Sequence, residues 1–303
     1  MKIFYSDHFV LPLPQGHRFP MQKYSMLRQR VKDSGRVPEE NLRVPPPAED
    51  EQILRAHLAD YLERVVQGKL TDQEVRRIGF PWSPGLVERS RRSVGGTIEA
   101  CRAALQDGLS ANLAGGTHHA YPDHGEGFCV FNDCAIAART MQAEKRAHRV
   151  VILDCDVHQG NGTAVIFAHD PTVFTFSIHG EKNFPFHKEH SDLDIALPDK
   201  AGDDQFLSAL QEGADQAVRL AQASLAVYIA GADPFAGDRL GRLKVSKEGL
   251  AERDRLILDL CQAEGLPLAI VMGGGYARDI QDTVDIHFQT ISLAVERSKN
   301  DGI

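Results

Sequence analysis

Along the chain, short apolar runs alternate with longer stretches whose apolar positions recur every three or four residues. Runs of the first kind fit buried parallel strands, which lack polar alternation because helices cover both of their faces. Strands are predicted at 109–113, 150–153, 172–178, 224–230 and 267–272. Helical periodicity predicts helices over 50–66, 84–106, 203–223, 247–263 and 280–297, enough to cover both faces of a parallel sheet. Pro45, Pro46 and Pro47 make a stiff lead into the first of these helices, which carries Ile53 and Leu54. Gly95 and Gly96 interrupt the second. No strand leads into that pair, so it predicts a close helix contact, not a phosphate site. The predicted fold class is α/β, a single domain over residues 1–303 with a central parallel sheet and helices on both faces.

Ionisable chemistry gathers where the predicted strands stop. The run at 150–153 leads into Asp154, Asp156 and His158, and the run at 224–230 into Asp233. Tyr276 follows the run at 267–272 through three glycines, His179 follows 172–178, and His118 and His119 follow 109–113 through Gly115 and Gly116. In open α/β sheets ligands bind beyond the carboxyl ends of the strands. Side chains two apart on extended backbone point the same way, so Asp154, Asp156 and His158 share one face if the strand geometry persists. A lone Asp at a strand end is more often a helix cap or turn residue. Two acids and a histidine together, followed by Gly160, Asn161 and Gly162, weaken that reading without removing it and suggest a metal.

Asp156, His158 and Asp233 supply a mixed oxygen and nitrogen donor set, which suits a catalytic zinc that keeps one position open. Ferrous iron suits the same donors. The five cysteines, Cys101, Cys129, Cys134, Cys155 and Cys261, contain no C-x-x-C pair, so a closed thiolate site is not expected. They are read as reduced and buried, with Cys155 turned to the face opposite its acidic neighbours. No apolar run is long enough to cross a bilayer, and Met1 to Val10 is broken by Asp7 and His8, so neither a membrane span nor a secretory signal is expected. With reduced cysteines this fits the cytoplasm. A net charge of -8 argues against direct nucleic-acid binding and permits cationic substrates such as lysine-rich peptides or polyamines.

Taken together and in order, the motifs GTHHAY (116–121), GFCVFND (127–133), DCDVHQGNG (154–162), GADP (231–234) and GGGY (273–276) resemble those of the zinc-dependent histone deacetylase superfamily. A looser match covers 53–61. The ending Gln159, Gly160, Asn161, Gly162 is most similar to the class IV branch and its bacterial and plant relatives. The resemblance implies an arginase/deacetylase fold, zinc held by Asp156, His158 and Asp233, His118 and His119 as a tandem catalytic pair, and Tyr276 polarising the substrate carbonyl. It implies that Gly127, Phe128 and Gly274 contact substrate, with Phe128 as one aromatic wall of an acyl-lysine tunnel and Phe184 or Phe186 as the other. It places a structural monovalent cation, potassium, at Asp154, Ser177 and the main-chain carbonyls of Asp156, His158 and Ile178. A second cation is implied more weakly near Phe167, Asp170 and Val173.

The implied activity is hydrolysis of an amide, removing an acetyl or other acyl group from a protein lysine. An acylated polyamine or other small amine, and a long-chain acyl-lysine, remain as alternative substrates. An amide is a poor electrophile, so Tyr276 and the metal would share its oxygen while a neutral His119 takes the water proton and later returns it to the amine. Asp154 would orient His118 and favour its imidazolium form. Many members of the family carry Asp where this chain has Asn161, so His119 is expected to have a neutral partner and a lower pKa. A binuclear manganese site would need more carboxylates than Asn161 and the motif at Asp233 offer. A silent acyl-lysine binding module would be expected to have lost the zinc ligands, His119 or Tyr276.

Overall fold

The computed structural model describes residues 1–300. Strands β1 (Lys2–Phe4), β2 (Leu42–Arg43), β3 (Leu109–Asn112), β4 (Val150–Asp154), β5 (Val173–Gly180), β6 (Leu193–Leu197), β7 (Leu225–Ile229) and β8 (Leu268–Val271) form one sheet. Its order is β2-β1-β3-β8-β7-β4-β5-β6, with every neighbouring pair parallel. The helices are α1 (Lys23–Asp33), α2 (Asp50–Ile53), α3 (Ala59–Gln67), α4 (Asp72–Ile78), α5 (Pro84–Asp107), α6 (Asp133–Ala143), α7 (Asn161–Phe167), α8 (Asp203–Ala221), α9 (Lys247–Ala263) and α10 (Ile280–Asn300). Among the described residues no helix is long and apolar enough to cross a membrane.

Strand β4 shows why both faces are covered. Val151 and Leu153 pack with Phe206, Leu210 and Ile257 of α8 and α9, whereas Val150 and Ile152 pack with Ile98 and Cys101 of α5 and Ile136 of α6. Alternate side chains thus enter two cores, and each fully buried aliphatic contributes about 2 kcal/mol relative to exposure. Cys155 continues the Val151 and Leu153 face, and all five cysteines are buried and unpaired. The helix ends follow local chemistry. Ser83 caps α5 by accepting the Leu86 N–H, with Pro84 in the first turn, and Ser246 caps α9 by accepting from Gly249.

The expected helix over 50–66 is two helices, because His57 leaves the helical path. Its Nδ1 lies 2.9 Å from the Tyr121 carbonyl, and its Nε2 accepts the Asn132 N–H at 2.9 Å. Burial lowers its pKa to about 4, so the neutral ring ties this corner to the loop before α6. Leu58 N–H meanwhile donates to Pro122. Two long-range backbone anchors outweigh continuous helical periodicity.

The contact expected at Gly95 is present. A Cβ there would collide with the Pro46 carbonyl, so α5 packs directly on the proline segment. Gly95→Ala is therefore expected to destabilise the fold by about 3 kcal/mol, through overpacking against rigid backbone. Urea unfolding of the variant beside wild type checks this.

Candidate active site

The parallel sheet brings the loops after β3, β8, β7, β4 and β5 side by side, since those strands are consecutive in it. Strand β4 ends at Asp154, and the shared face expected for Asp154, Asp156 and His158 does not persist. Asp154 turns toward the histidine pair. Asp156 and His158 turn toward Asp233 in the loop after β7. His158 Nδ1 is 2.9 Å from Asp156 Oδ1 and 3.1 Å from Asp233 Oδ2. One donor atom from each residue lies within 4.8 Å of the others, and all three residues are buried.

Backbone amides hold the carboxylates in this convergence. Gly274 N–H donates to Asp156 Oδ2 at 2.6 Å, and Val157 N–H to Asp233 Oδ1 at 3.0 Å. A side chain at Gly274 would strike both carboxylates, so the glycine after β8 is what lets the backbone approach them. Two buried acids this close oppose one another. Burial and the charge of Asp156 push Asp233 above the ordinary carboxylate range. Burial works against His158 becoming charged, but hydrogen bonds accepted by Asp156 and Asp233 push its pKa up to about 10. Two acidic oxygens and an imidazole nitrogen forced to one point fit a single divalent cation, which would satisfy both charges at once.

Beside this cluster, His118 Nδ1 lies 2.6 Å from Asp154 Oδ2, and His119 Nδ1 lies 2.6 Å from Asn161 Oδ1. The Asn161 Nδ2 donates to the Tyr121 hydroxyl, which donates to Glu189, so the amide oxygen faces His119. His119 Nδ1 therefore carries the proton and Nε2 is its basic nitrogen. The two rings, 4.2 Å apart, differ in charge preference. Burial opposes charging of His118, but the charges of Asp154 and Asp156 raise its pKa to about 9. For His119, burial and the His118 and His158 charges lower the pKa well below the ordinary imidazole value.

A cavity of about 920 Å3 reaches from solvent to His119, His158 and Tyr276. The Phe184 ring stands 5.0 Å from the His119 ring, whereas Phe186 is 80 % exposed, its ring 6.2 Å from that of Phe184. Phe184 is thus the inner aromatic wall and Phe186 lies at the mouth. Gly127 also lines the cavity, and the next residue, Phe128, holds a left-handed φ of 67°, with its N–H donating to the Ile78 carbonyl. Tyr276 is 8 % exposed, with its N–H bonded to Asp238 at 2.6 Å. Burial and the nearby Asp233 and Asp156 push its phenol pKa well up, so the hydroxyl stays a donor.

Asp154 pairs in register with Ser177 of β5, which leads to Ile178, and Ser177 Oγ is 3.0 Å from His179 Nδ1. Where a second cation is expected, Asp170 already accepts from Thr172 and pairs with Arg139 at 2.6 Å, so its charge is balanced by protein.

Some supporting links carried no readable signal in the sequence, even where the residue lies in a motif. Asp133, at the start of α6, accepts the N–H groups of Gly116 and Thr117 and so fixes the loop before the histidines. Arg253 in α9 is fully buried, pairs with Asp254 at 2.8 Å, and donates to the Gly231 carbonyl two residues before Asp233. Only the tertiary fold reveals these links, since each spans helix and loop.

The sequence profile of the histone deacetylase domain matches residues 17–291. An uncharacterized protein of Picosynechococcus sp. is 46% identical over 285 residues, covering 94% of this chain and 95% of that one. The histone deacetylase-like amidohydrolase of Pseudomonas aeruginosa is 31% identical over 284 residues, covering 88% of this chain and 74% of that protein. In fold, the crystal structure of an HDAC homolog from Aquifex aeolicus superposes with a TM-score of 0.83 at 21% identity, covering 98% of this chain and 84% of that one.

Proposed function

The chain belongs to the histone deacetylase family, and on that premise we propose that it removes an acetyl group from the side chain of a protein lysine, using zinc held by Asp156, His158 and Asp233. One observation carries this reading: three buried metal donors converge beside a histidine pair of opposite charge preference and a protonated tyrosine. When bound there, zinc would supply Lewis acidity to the amide carbonyl and to the attacking water. Ferrous iron fits the same donors. Potassium at Asp154, Ser177 and the carbonyls of Asp156, His158 and Ile178 would be structural.

The residues divide the remaining work. Phe128 and Phe184 flank the aliphatic lysine stem and keep water from it. His119 receives the proton of the attacking water at Nε2 and passes it to the leaving amine. His118, charged through Asp154, stabilises the negative charge that develops on the carbonyl oxygen. The Tyr276 hydroxyl donates to that same oxygen.

Acetate release from a neutral acetyl-lysine reporter tests this reading, with protein that is zinc-loaded, chelated and reloaded. Turnover that disappears on chelation and returns with zinc is expected; turnover untouched by chelation contradicts it.

Asn161 gives a separate check. Activity needs neutral His119, so it falls as pH drops through the pKa of that ring. Asn161→Asp places a carboxylate where the amide oxygen now sits, which favours the imidazolium and raises that pKa. The acid limb of kcat/KM is expected to move up by about 1–2 pH. A profile identical to wild type would remove His119 as the base.

A further inference from the structure

The chain has a formal net charge of -8, yet the mouth of its active-site cavity has the opposite sign. Arg18, Arg76, Arg77, Lys182, Arg239 and Arg242 line it, and all six are exposed. They come from separate places: the loop before α1, the end of α4, and the loops after β5 and β7. Among the described residues, Arg242 has a carboxylate partner, Asp199 at 3.4 Å, and the other five pair with no carboxylate. Glu126 is the one acid among the residues lining the cavity. The Arg239 side chain is held beside the reactive tyrosine, with Nε donating to the Tyr276 carbonyl at 3.0 Å and Nη2 to the Arg18 carbonyl at 3.4 Å. An adjoining cavity of about 660 Å3 shares Arg18 and Arg239 and adds Arg89 and Arg278.

Unpaired like charges around one opening repel each other, and in a chain with 42 acids and 34 bases they are not a consequence of composition. An anionic partner at the opening relieves that repulsion. Because the cations are exposed, they face whatever part of a substrate stays outside the tunnel, not the acyl group within it. We infer that the rim selects a polypeptide segment in which the acylated lysine is flanked by Asp or Glu. This rests on the reading of the site as a lysine deacetylase. An acylated polyamine or a Lys- and Arg-rich tail meets like charge at the same rim, so overall acidity gives the wrong sign for the substrate.

The test uses zinc-loaded full-length protein and acetyl-lysine peptides of equal length with acidic, neutral or basic flanks, together with acetylspermidine. The acidic peptide is expected to exceed the basic one in kcat/KM by about tenfold near 20 mM salt, with the ratio falling toward one near 500 mM as screening shortens to a few ångströms. The double reversal Arg76→Glu with Arg77→Glu is expected to lower or invert the ratio. Lys182→Glu with Arg242→Glu, on other loops, is expected to do the same and stands in if the first variant does not fold. Each ratio is taken within one protein, so a general loss of fold does not move it. Equal rates for all peptides, a preference for the basic peptide, or a ratio indifferent to salt and reversal overturns the inference while leaving the lysine deacetylase reading intact; a preference for acetylspermidine over every peptide overturns both. No hydrolysis of even the neutral peptide overturns both.

Discussion

Asp233→Ala is expected to fold, to lose its divalent ion, and to lose deacetylation by roughly 10^4-fold or more. A Lewis acid at the carbonyl contributes several kcal/mol, and each ~1.4 kcal/mol is a factor of ten in rate. Asp233 supplies one of the three donors that converge among the described residues, so its removal leaves two. It also accepts the Val157 N–H, and loss of that bond would disturb the backbone beside His158. Asp233→Asn separates the two effects, because its amide oxygen keeps the Val157 bond while removing the negative charge. Metal content, acetate release and urea unfolding of the three proteins check these outcomes. Full metal retention with near wild-type turnover would contradict the site.

Tyr276→Phe has a different signature. The hydroxyl is not a metal donor, so the variant is expected to keep its ion while kcat falls about 10^2- to 10^3-fold, the usual cost of losing one donor to a developing oxyanion. KM is expected to change little, because the hydroxyl matters most when charge has built up on the carbonyl oxygen. The phenol is held protonated by burial and by Asp233 and Asp156, so its own titration does not shape activity near neutral pH. Steady-state rates beside metal analysis distinguish this result from that of Asp233→Ala. An unchanged kcat would remove Tyr276 from the reaction.

The central strands were legible because burial on both faces leaves an unbroken apolar run, as in Val150 to Leu153. The strands toward the two ends of the sheet were not. There β1 and β2 span three and two residues, and β6 carries Asp194 on a half-exposed edge, so neither length nor pattern marks them. Helix α1, which begins at Lys23, was also missed. Lys23 is buried there against Phe19, Tyr24 and Tyr276, a position where periodicity predicts an apolar residue. At the site, residue types at strand ends pointed to Asp156, His158 and Asp233. The turn that sends Asp154 to His118 instead depends on where β4 stops, which no local pattern encodes. The choice between Phe184 and Phe186 likewise needed the loop's conformation, and the basic mouth needed four distant segments brought together.

Anomalous X-ray diffraction at the zinc absorption edge, from crystals of zinc-loaded protein, tests the central claim most directly. One peak is expected, about 2.0–2.2 Å from His158 Nδ1 and from an oxygen of each of Asp156 and Asp233. Absence of a peak between those three residues, or a zinc bound elsewhere with the three side chains apart, would contradict it.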